Sequence, residues 1–372
     1  MRLRIVLAML LAGSGAIPNG CKGSRQRAER SWPRRPIQIS CFADAGGGTD
    51  TVCRAIAAAM EPHLGAKINV TNRTGGAGGI ALHYVWSRER DGYNWGGFSE
   101  TILPASVMGG HHTTARDWTY YMVAGAPGVL SVNKSSAYRT LKDFVGAAKA
   151  NPGKIRVAAA ITGGLWHTKL VFLTQAAGIE VNVLPYKGSN PSQLAVLSGE
   201  ADAVLTSVSE QAELIKEGTL APLAMIEAEP YDFPGHGVIP AAAADYPRVA
   251  QAPVRQWLGF ALPADTPPEI LAKVDEAFDR AMASPEIARM TGSRQLTLLG
   301  LRGREANTLA RRMESAWTWL LYEHGMAQKS PAEFGIPKPG EGAAAGSAAD
   351  AGPTSQPAAV SGPVTTAPAA QG

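Results

Sequence analysis

Between residues 33 and 338, short apolar runs alternate with segments of helical periodicity. Ile37–Cys41 predicts a strand, and Asp50–Leu64 then places apolar residues at helical spacing and ends at Gly65. The same order of strand and helix recurs through residues 156–226. Strands that alternate with helices predict parallel sheets covered by helices. Because 372 residues exceed the usual size of one domain, we expect an α/β protein with two lobes.

The first residues have the pattern of an export signal. Two arginines precede the apolar run Ile5–Ala12, which is shorter than the roughly 20 residues that a membrane span requires. Cys21 stands where a lipoprotein cleavage box ends, and in such a box the cysteine thiol takes a diacylglyceryl group. We therefore predict a signal peptide over 1–20 and lipidation of Cys21. Cleavage near Ala16, which leaves a free thiol, is the alternative.

The positive charge of the chain is concentrated at its beginning. Residues 1–36 contain eight basic side chains and one acidic side chain, whereas the whole chain has a formal net charge of +4. The rest is therefore net acidic, which argues against nucleic-acid binding. We expect residues 21–32 to form a basic tether beside the membrane. Residues 339–372 are rich in Ala, Gly and Pro and predict a disordered tail.

Three consecutive glycines, Gly46 to Gly48, lie between the first predicted strand and helix. Glycine lets backbone N–H groups face a ligand, and the N–H groups at the head of a helix attract anions. The segment predicts a site for carboxylate or phosphate oxygens that is built from backbone; a tight turn without a ligand is the alternative. A second glycine cluster, Asn72–Gly79, follows the next strand, and neither cluster matches a nucleotide fingerprint.

Two further strand-to-helix loops, Ile161–His167 and Leu184–Ser189, lie in the middle of the chain. Open α/β sheets bind ligands at the carboxyl ends of their strands. Loops of this kind on two lobes predict a ligand cleft between them. The helix that precedes these loops is predicted to start at Thr140, where Asp143 has the spacing of a capping box.

Motifs for catalysis and metal binding are missing from the sequence. It contains no G-x-S-x-G and no H-E-x-x-H, and the adjacent His111 and His112 lack metal-ligand spacing. Ser189 or Ser207 near His167 is the remaining candidate for a nucleophile–base pair. We therefore expect no enzyme activity, no metal and no cofactor.

Two cysteines remain besides the predicted lipidation site. Cys41 ends the first predicted strand, and Cys53 lies in the helix that follows. Export permits a disulfide between them, but its geometry cannot be checked from sequence. The prediction is two buried free thiols, with the disulfide as the alternative.

The order of these motifs resembles the substrate-binding proteins of tripartite tricarboxylate transporters, the Bug receptor family. Ala45–Asp50, Asn72–Arg73, Pro185–Gly188 and Gly199–Asp202 carry the resemblance, which covers nearly all of residues 32–338. It implies a two-lobed periplasmic binding protein fold of the type II-like class. Each lobe would be a mostly parallel sheet flanked by helices, with the ligand cleft between the lobes.

The resemblance also implies a division of the chain and a function. Lobe 1 would take residues 33–133 with 257–338, and lobe 2 residues 134–256. The protein would be a periplasmic, monomeric receptor that closes on a small carboxylate or amino-acid ligand and passes it to a membrane permease of the tripartite tricarboxylate type. A surface lipoprotein that senses a ligand and signals through a membrane partner without transport is the alternative.

In the family, the loops that match Phe42–Asp50 and Tyr186–Ser189 hold the carboxylate through main-chain groups and ordered water. Together with the neighbouring predicted loops, they give the expected ligand-binding residues: Phe42, Ala43, Asp44, Ala45, Gly46, Gly47, Thr49, Asp50, Ser99, Glu100, Thr162, Gly163, His167, Tyr186, Lys187, Gly188, Ser189 and Ser207.

Two acidic residues depart from the family pattern. Asp44 stands in the first loop, where the family usually has proline or a small neutral residue, and Glu100 follows Ser99 after the third strand. A carboxylate near the cleft disfavours a polyanion and can accept an ammonium or hydroxyl group. We therefore expect a ligand with one carboxylate and a donor group, such as an amino acid, rather than citrate. The alternative is that both side chains face solvent.

Overall fold

The computed structural model describes residues 32–160, 163–186, 188–251 and 254–341. The predictions for the signal peptide, for Cys21, for the tether before Trp32 and for the tail from 342 onward lie outside these ranges. Thr162 and Lys187 of the expected ligand set lie outside them as well.

Strands and helices follow one another along the described chain much as the alternation predicts. The strands are β1 (Ile37–Cys41), β2 (Ile68–Asn72), β3 (Asn94–Ser99), β4 (Trp118–Gly125), β5 (Gly128–Asn133), β6 (Arg156–Ala160), β7 (Asn182–Tyr186), β8 (Ala203–Ser207), β9 (Leu220–Met225), β10 (Tyr231–Phe233), β11 (Gly237–Ile239), β12 (Leu258–Pro263) and β13 (Thr297–Arg302). The helices are α1 (Gly48–Leu64), α2 (Gly79–Trp86), α3 (Leu141–Ala150), α4 (Leu165–Ala177), α5 (Ser189–Leu197), α6 (Val208–Lys216), α7 (Pro268–Met282), α8 (Pro285–Ser293) and α9 (Gly303–Glu323). Among these described helices, none is both long and apolar enough to cross a membrane.

Strands from both ends of the chain build a six-stranded sheet in the order β13–β4–β12–β3–β1–β2. β1 runs parallel to β2 and β3, whereas β12 runs antiparallel to β3 and β4, and β13 runs antiparallel to β4. We call this sheet with its helices lobe 1. α1 and α7 pack on one face, where the ring of Phe260 stacks between Trp95 and Tyr121 with centroids 4.9 and 4.6 Å away.

The middle of the chain builds a five-stranded sheet in the order β7–β6–β8–β5–β9. β6 runs parallel to β7 and β8, and β5 runs antiparallel to β8 and β9. We call this sheet with its helices lobe 2. One apolar cluster extends from Trp118 in lobe 1 to Leu170 and Leu173 in lobe 2 and includes Trp317 of α9. The two lobes therefore share a continuous apolar contact.

The chain passes between the sheets twice, and the two crossings run side by side. β4 leads directly into β5, and the return segment leads into β12. A Cβ atom on Gly125 would lie 2.2 Å from the backbone oxygen of Gln256, so only glycine fits there. The N–H of Ala126 donates to Oε1 of Gln256 at 3.1 Å. This bond joins the outgoing crossing to the returning one.

The two-lobed α/β fold is confirmed, but three details of the prediction are wrong. The sheets are mixed rather than mostly parallel, because the crossing strands β5 and β12 enter antiparallel to their neighbours. Residues 128–133 form β5 of the second sheet, so the predicted first-lobe range 33–133 is one strand too long. β13 is a strand that the sequence pattern does not predict, because its side chains are exposed or half-buried and show no alternation of buried and exposed positions.

Candidate functional site

The first cleft loop, residues 42–47, joins β1 to α1. Gly46 takes a left-handed φ of +80°, and the N–H of Gly47 donates to the carbonyl of Asp44 at 3.1 Å. Gly47 is the N-cap residue of α1 and has no side chain to accept hydrogen bonds from the first turn. The helix therefore starts with backbone donors directed toward the carboxyl edge of the lobe 1 sheet, as the glycine run predicts.

Asp50 holds this loop from within. Its carboxylate is buried and accepts hydrogen bonds from the N–H of Gly46 at 2.9 Å, from Nδ2 of Asn72 at 2.8 Å and from Nε of Arg54 at 3.0 Å. Burial raises the pKa of Asp50, but the hydrogen bonds from Arg54, Gly46 and Asn72 outweigh it, and the pKa lies below its usual value. We infer that Asp50 shapes the loop.

Asn72 and Arg54 are missing from the predicted set. Nδ2 of Asn72 also donates to the carbonyl of Ala43 at 2.9 Å, and Nη2 of Arg54 donates to Oδ1 of Asn72 at 3.0 Å. Two signals could have revealed them. Arg54 stands four residues after Asp50 on one helix face. Asn72 ends the strand parallel to β1 and pairs in register with Cys41.

The remaining residues of this loop have different exposures. Asp44 and Ala45 are exposed, whereas Thr49 is buried in the first turn of α1. Phe42 is half-buried, and its ring lies against the second glycine cluster: a Cβ atom on Gly78 would lie 3.5 Å from Cδ2 of Phe42. Both glycine clusters therefore lie at the same edge of lobe 1.

Glu100 is buried at the end of β3, next to the returning crossing. Its Oε2 accepts a hydrogen bond from the N–H of Trp257 at 3.1 Å, and Oγ of Ser99 accepts one from the N–H of Thr101 at 3.3 Å. Burial raises the pKa of Glu100 to about 8, and the charge of Glu210 in lobe 2 adds to the rise. Near pH 7 Glu100 is therefore mainly a neutral acid, not the charged group expected from sequence.

The loop before α4 faces lobe 1. A Cβ atom on Gly163, whose φ is +73°, would lie 3.3 Å from Cε of Met108 in lobe 1. The N–H of Gly163 donates to Nδ1 of His167 at 2.9 Å, and burial lowers the pKa of His167. His167 is thus a neutral acceptor that holds its own loop. Gly164, the N-cap residue of α4, has no side chain to accept hydrogen bonds from the first turn.

The third loop leads from β7 into α5. Tyr186 ends β7 and packs against the core of lobe 2, Gly188 is the N-cap residue, and Ser189 begins the helix. Gly188, like Gly47 and Gly164, lacks a capping side chain. Of the other described helices, α3, α6 and α8 are capped by the side chains of Thr140, Ser207 and Ser284, whereas α2, α7 and α9 have no side-chain cap.

Ser207 ends β8, which runs parallel to β6, and forms a buried capping box at the start of α6. Its Oγ donates to Oε2 of Glu210 at 2.6 Å and accepts the N–H of Glu210 at 3.1 Å. Among the described residues, no hydrogen bond joins His167 to Ser189 or Ser207, so the serine–histidine pair considered from sequence has no geometric support. No group of three or more potential ligands in the described part of the chain is placed to hold a metal ion.

Three helices, α1, α4 and α5, thus begin with uncapped backbone donors at the carboxyl ends of β1, β6 and β7. The contact of Gly163 with Met108 and the influence of Glu210 on Glu100 place the two lobes opposite each other at this edge. A separate groove of about 220 Å³ between Trp32, Leu64 and Lys273 lies at the other end of the lobe 1 sheet. The arrangement at the facing edges can bind anionic oxygens through neutral donors.

The chain has relatives over most of its described length. The model of the tripartite tricarboxylate transporter family receptor matches residues 52–322. Protein BugT of Bordetella pertussis is 27% identical over 263 residues, which cover 69% of this chain and 79% of BugT. The UPF0065 protein in the tcbD–tcbE intergenic region of Pseudomonas sp. strain P51 is 27% identical over 278 residues, 71% of this chain and 79% of the relative.

Solved structures share the fold. A protein of R. palustris solved with adipate has a TM-score of 0.70 at 24% identity, over 80% of this chain and 99% of that chain. MatC from Rhodopseudomonas palustris, solved with malate, has a TM-score of 0.67 at 22% identity, over 78% and 100%. Since the family model spans residues 52–322, this chain belongs to the tripartite tricarboxylate transporter receptor family and is a solute-binding receptor.

Proposed function

We propose that this receptor captures a small carboxylate-bearing metabolite between its lobes and makes or breaks no bond. The observation that carries the proposal is that α1, α4 and α5 each begin at a glycine N-cap residue without a capping side chain, at the facing edges of the two sheets. Adipate and malate, the ligands of the two R. palustris structures, are small carboxylates, which supports this ligand class.

The backbone supplies the affinity in this proposal. N–H groups at the starts of α1, α4 and α5 donate to carboxylate oxygens, and each helix dipole adds about 0.3–1 kcal/mol for a nearby negative charge. The donors are neutral, so water can complete the contacts for carboxylates of different shape. Movement of Gly163 against Met108 would close lobe 2 over the ligand.

We further propose a ligand with one carboxylate and a donor group, such as an amino acid, in preference to a tricarboxylate. Asp44 is exposed on the first cleft loop and can accept a hydrogen bond from an ammonium group. Glu100 does not add a second full charge near pH 7, because its pKa is raised to about 8. The preference therefore depends on Asp44.

Export and delivery complete the proposal. Members of this receptor family are periplasmic, which supports export of this chain. A lipid on Cys21 would hold the monomeric receptor beside the membrane, where it would deliver its ligand to a permease of the tripartite tricarboxylate type. Deletion of the receptor gene should abolish uptake of the ligand; intact uptake would favour a sensing role.

A thermal-shift screen of the mature protein tests the binding proposal. The panel holds monocarboxylates, dicarboxylates, tricarboxylates and amino acids. At 100 times Kd a ligand raises the free energy of unfolding by about 2.7 kcal/mol, which shifts Tm by roughly 4 °C for a protein of this size. A panel without any shift contradicts the proposal.

Calorimetry of the Asp44→Ala variant tests the ligand preference. We expect the variant to lose its preference for an amino acid over a tricarboxylate, because the acceptor for the ammonium group is gone. Asp232→Ala, an exposed position on the β10–β11 hairpin, is the control and should keep it. An unchanged preference in Asp44→Ala would show that this side chain does not select the ligand.

A further inference from the structure

We propose that Cys41 and Cys53 are a redox pair whose disulfide closes the base of the first cleft loop. The proposal goes beyond ligand capture, and only its effect on ligand affinity rests on the proposed function. Both thiols are free in this structure, so it describes the reduced form of the pair.

Cys41 and Cys53 lie in the same buried layer, on the two elements that the first cleft loop joins. Cys41 is the last residue of β1, Cys53 lies in α1, and both are fully buried in the same apolar cluster. The position that a Cβ atom would take on Gly97 lies 2.8 Å from Sγ of Cys53 and 3.0 Å from Cα of Cys41. The two cysteines therefore border the same small space, with Sγ of Cys53 at most about 6 Å from Cα of Cys41; a disulfide holds its two Cα atoms about 4.4–6.8 Å apart.

Gly97 makes this approach possible. Its strand, β3, runs beside β1 with Gly97 in register with Cys41, and a side chain at this position would occupy the space between the two cysteines. Sγ of Cys53 donates to the carbonyl of Gly259 at 3.3 Å, which holds the thiol against the sheet. The two thiols thus lie in the buried apolar layer between the sheet and α1, beside Ile39, Val52 and Ile56.

The two thiols are chemically unequal. The hydrogen-bonding interaction with Cys53 lowers the pKa of Cys41 and outweighs burial, which acts in the opposite direction. The interaction with Cys41 and burial both raise the pKa of Cys53. Cys41 is therefore the better thiolate and the expected first nucleophile. Because both thiols are buried, the reaction takes place as the chain folds or while α1 is locally open.

The oxidant is a disulfide of the dithiol-exchange class, as found in oxidising compartments. The Cys41 thiolate attacks one sulfur of this disulfide, which forms a mixed disulfide and releases the first thiolate. Cys53 loses its proton to solvent and attacks the sulfur of Cys41, which releases the second thiolate. The protein pair loses two electrons and two protons, and the oxidant becomes a dithiol.

The bridge would stiffen the proposed ligand site. The closed segment between Cys41 and Cys53 contains the whole first cleft loop and Asp50. A cross-link over such a short segment removes freedom mainly from the unfolded chain, which predicts a Tm on the order of 5 °C higher for the oxidised form. We also expect tighter ligand binding, because less freedom of the loop is lost when the ligand binds.

Mass spectrometry of the full chain exported with its own leader tests the pair. Trypsin cuts after Arg34 and Arg54 but not before Pro36, so both cysteines fall in one peptide, residues 35–54. Acid quenching followed by alkylation in denaturant should leave this peptide unmodified and two hydrogens lighter than its reduced form. Reduction should then permit two alkyl groups. Two alkyl groups without reduction, in the exported protein and after incubation with oxidised glutathione, would overturn the proposal.

Serine variants separate the bridge from a general effect of the reductant. Dithiothreitol should lower the Tm of the wild-type protein and leave that of the double variant Cys41→Ser, Cys53→Ser unchanged. Equal responses of the two proteins would refute a stiffening bridge. The peptide mass and the Tm require no ligand, so failure of the ligand screen leaves this test intact, and failure of this test leaves the receptor proposal intact.

Discussion

Replacement of Asp50 by alanine tests whether one buried carboxylate holds the first cleft loop. Asp50 accepts hydrogen bonds from the N–H of Gly46, from Asn72 and from Arg54 at 2.8–3.0 Å. Hydrogen bonds to a charged group contribute about 1.5–3 kcal/mol each. Arg54 is half-exposed and regains water. We therefore expect the free energy of unfolding to fall by about 2–4 kcal/mol, less than the sum of the three bonds.

Urea unfolding followed by tryptophan fluorescence measures this loss. Asp44→Ala is the matched control: it lies in the same loop, but its side chain is exposed, so its stability should stay within about 0.5 kcal/mol of wild type. Ligand affinity should fall in Asp50→Ala, because Gly46 loses its acceptor. If the two variants are equally stable, Asp50 does not hold the loop.

The same comparison has a pH dependence of known sign. The pKa of Asp50 lies below its usual value in the folded protein. The contribution of Asp50 to the free energy of unfolding is therefore complete above the pKa of the unfolded state, and it is lost as the pH falls through the pKa of the folded state. The difference between wild type and Asp50→Ala should shrink as the pH falls from about 5 to about 3. A difference that is constant with pH would exclude the carboxylate as its source.

Two further substitutions test the facing edges of the lobes. Because the pKa of Glu100 is raised to about 8, the folded state keeps a proton that the unfolded state has lost, and stability should fall as the pH rises from 5 to 8. In the Glu100→Gln variant, the free energy of unfolding measured with urea should fall by about 2–4 kcal/mol less than in the wild type over the same pH range. An equal fall in the two proteins would show that Glu100 is not protonated in the folded state. Gly163→Ala should weaken ligand binding, because the added Cβ atom would press against Met108. Gly153→Ala is the control: its φ of +70° gives the same backbone strain of about 1 kcal/mol, but the space around it is open, so ligand affinity should not change. Equal affinities in calorimetry would exclude a role of this contact in closure.

Much of the local structure follows from sequence. The helix start at Thr140 and its capping box with Asp143 are present as predicted, because a cap depends only on residues three positions apart. The glycine run before α1 also gives the predicted uncapped start. The predicted ligand contacts at these positions remain predictions, since a contact depends on the ligand as well as on the chain.

Sequence reasoning fails where the outcome depends on pairing between distant segments. β5 follows β4 after two residues, yet it joins the other sheet, because its partners are β8 and β9. Lys169 is buried and donates to Oε1 of Glu227 at 2.6 Å, and no local sequence pattern predicts this ion pair. Side chains separated by dozens of residues become partners only after the sheets are assembled.

The sequence by itself determined the alternation of strands and helices, the glycine-rich loops and the net acidic balance of the chain outside residues 1–36, because each depends on residue type and short spacing. The tertiary structure decided which sheet each strand joins, that Asp50 faces Gly46 and Asn72, and that Glu100 keeps its proton. Burial and the partners of a charged group set its pKa, and both are properties of the assembled fold.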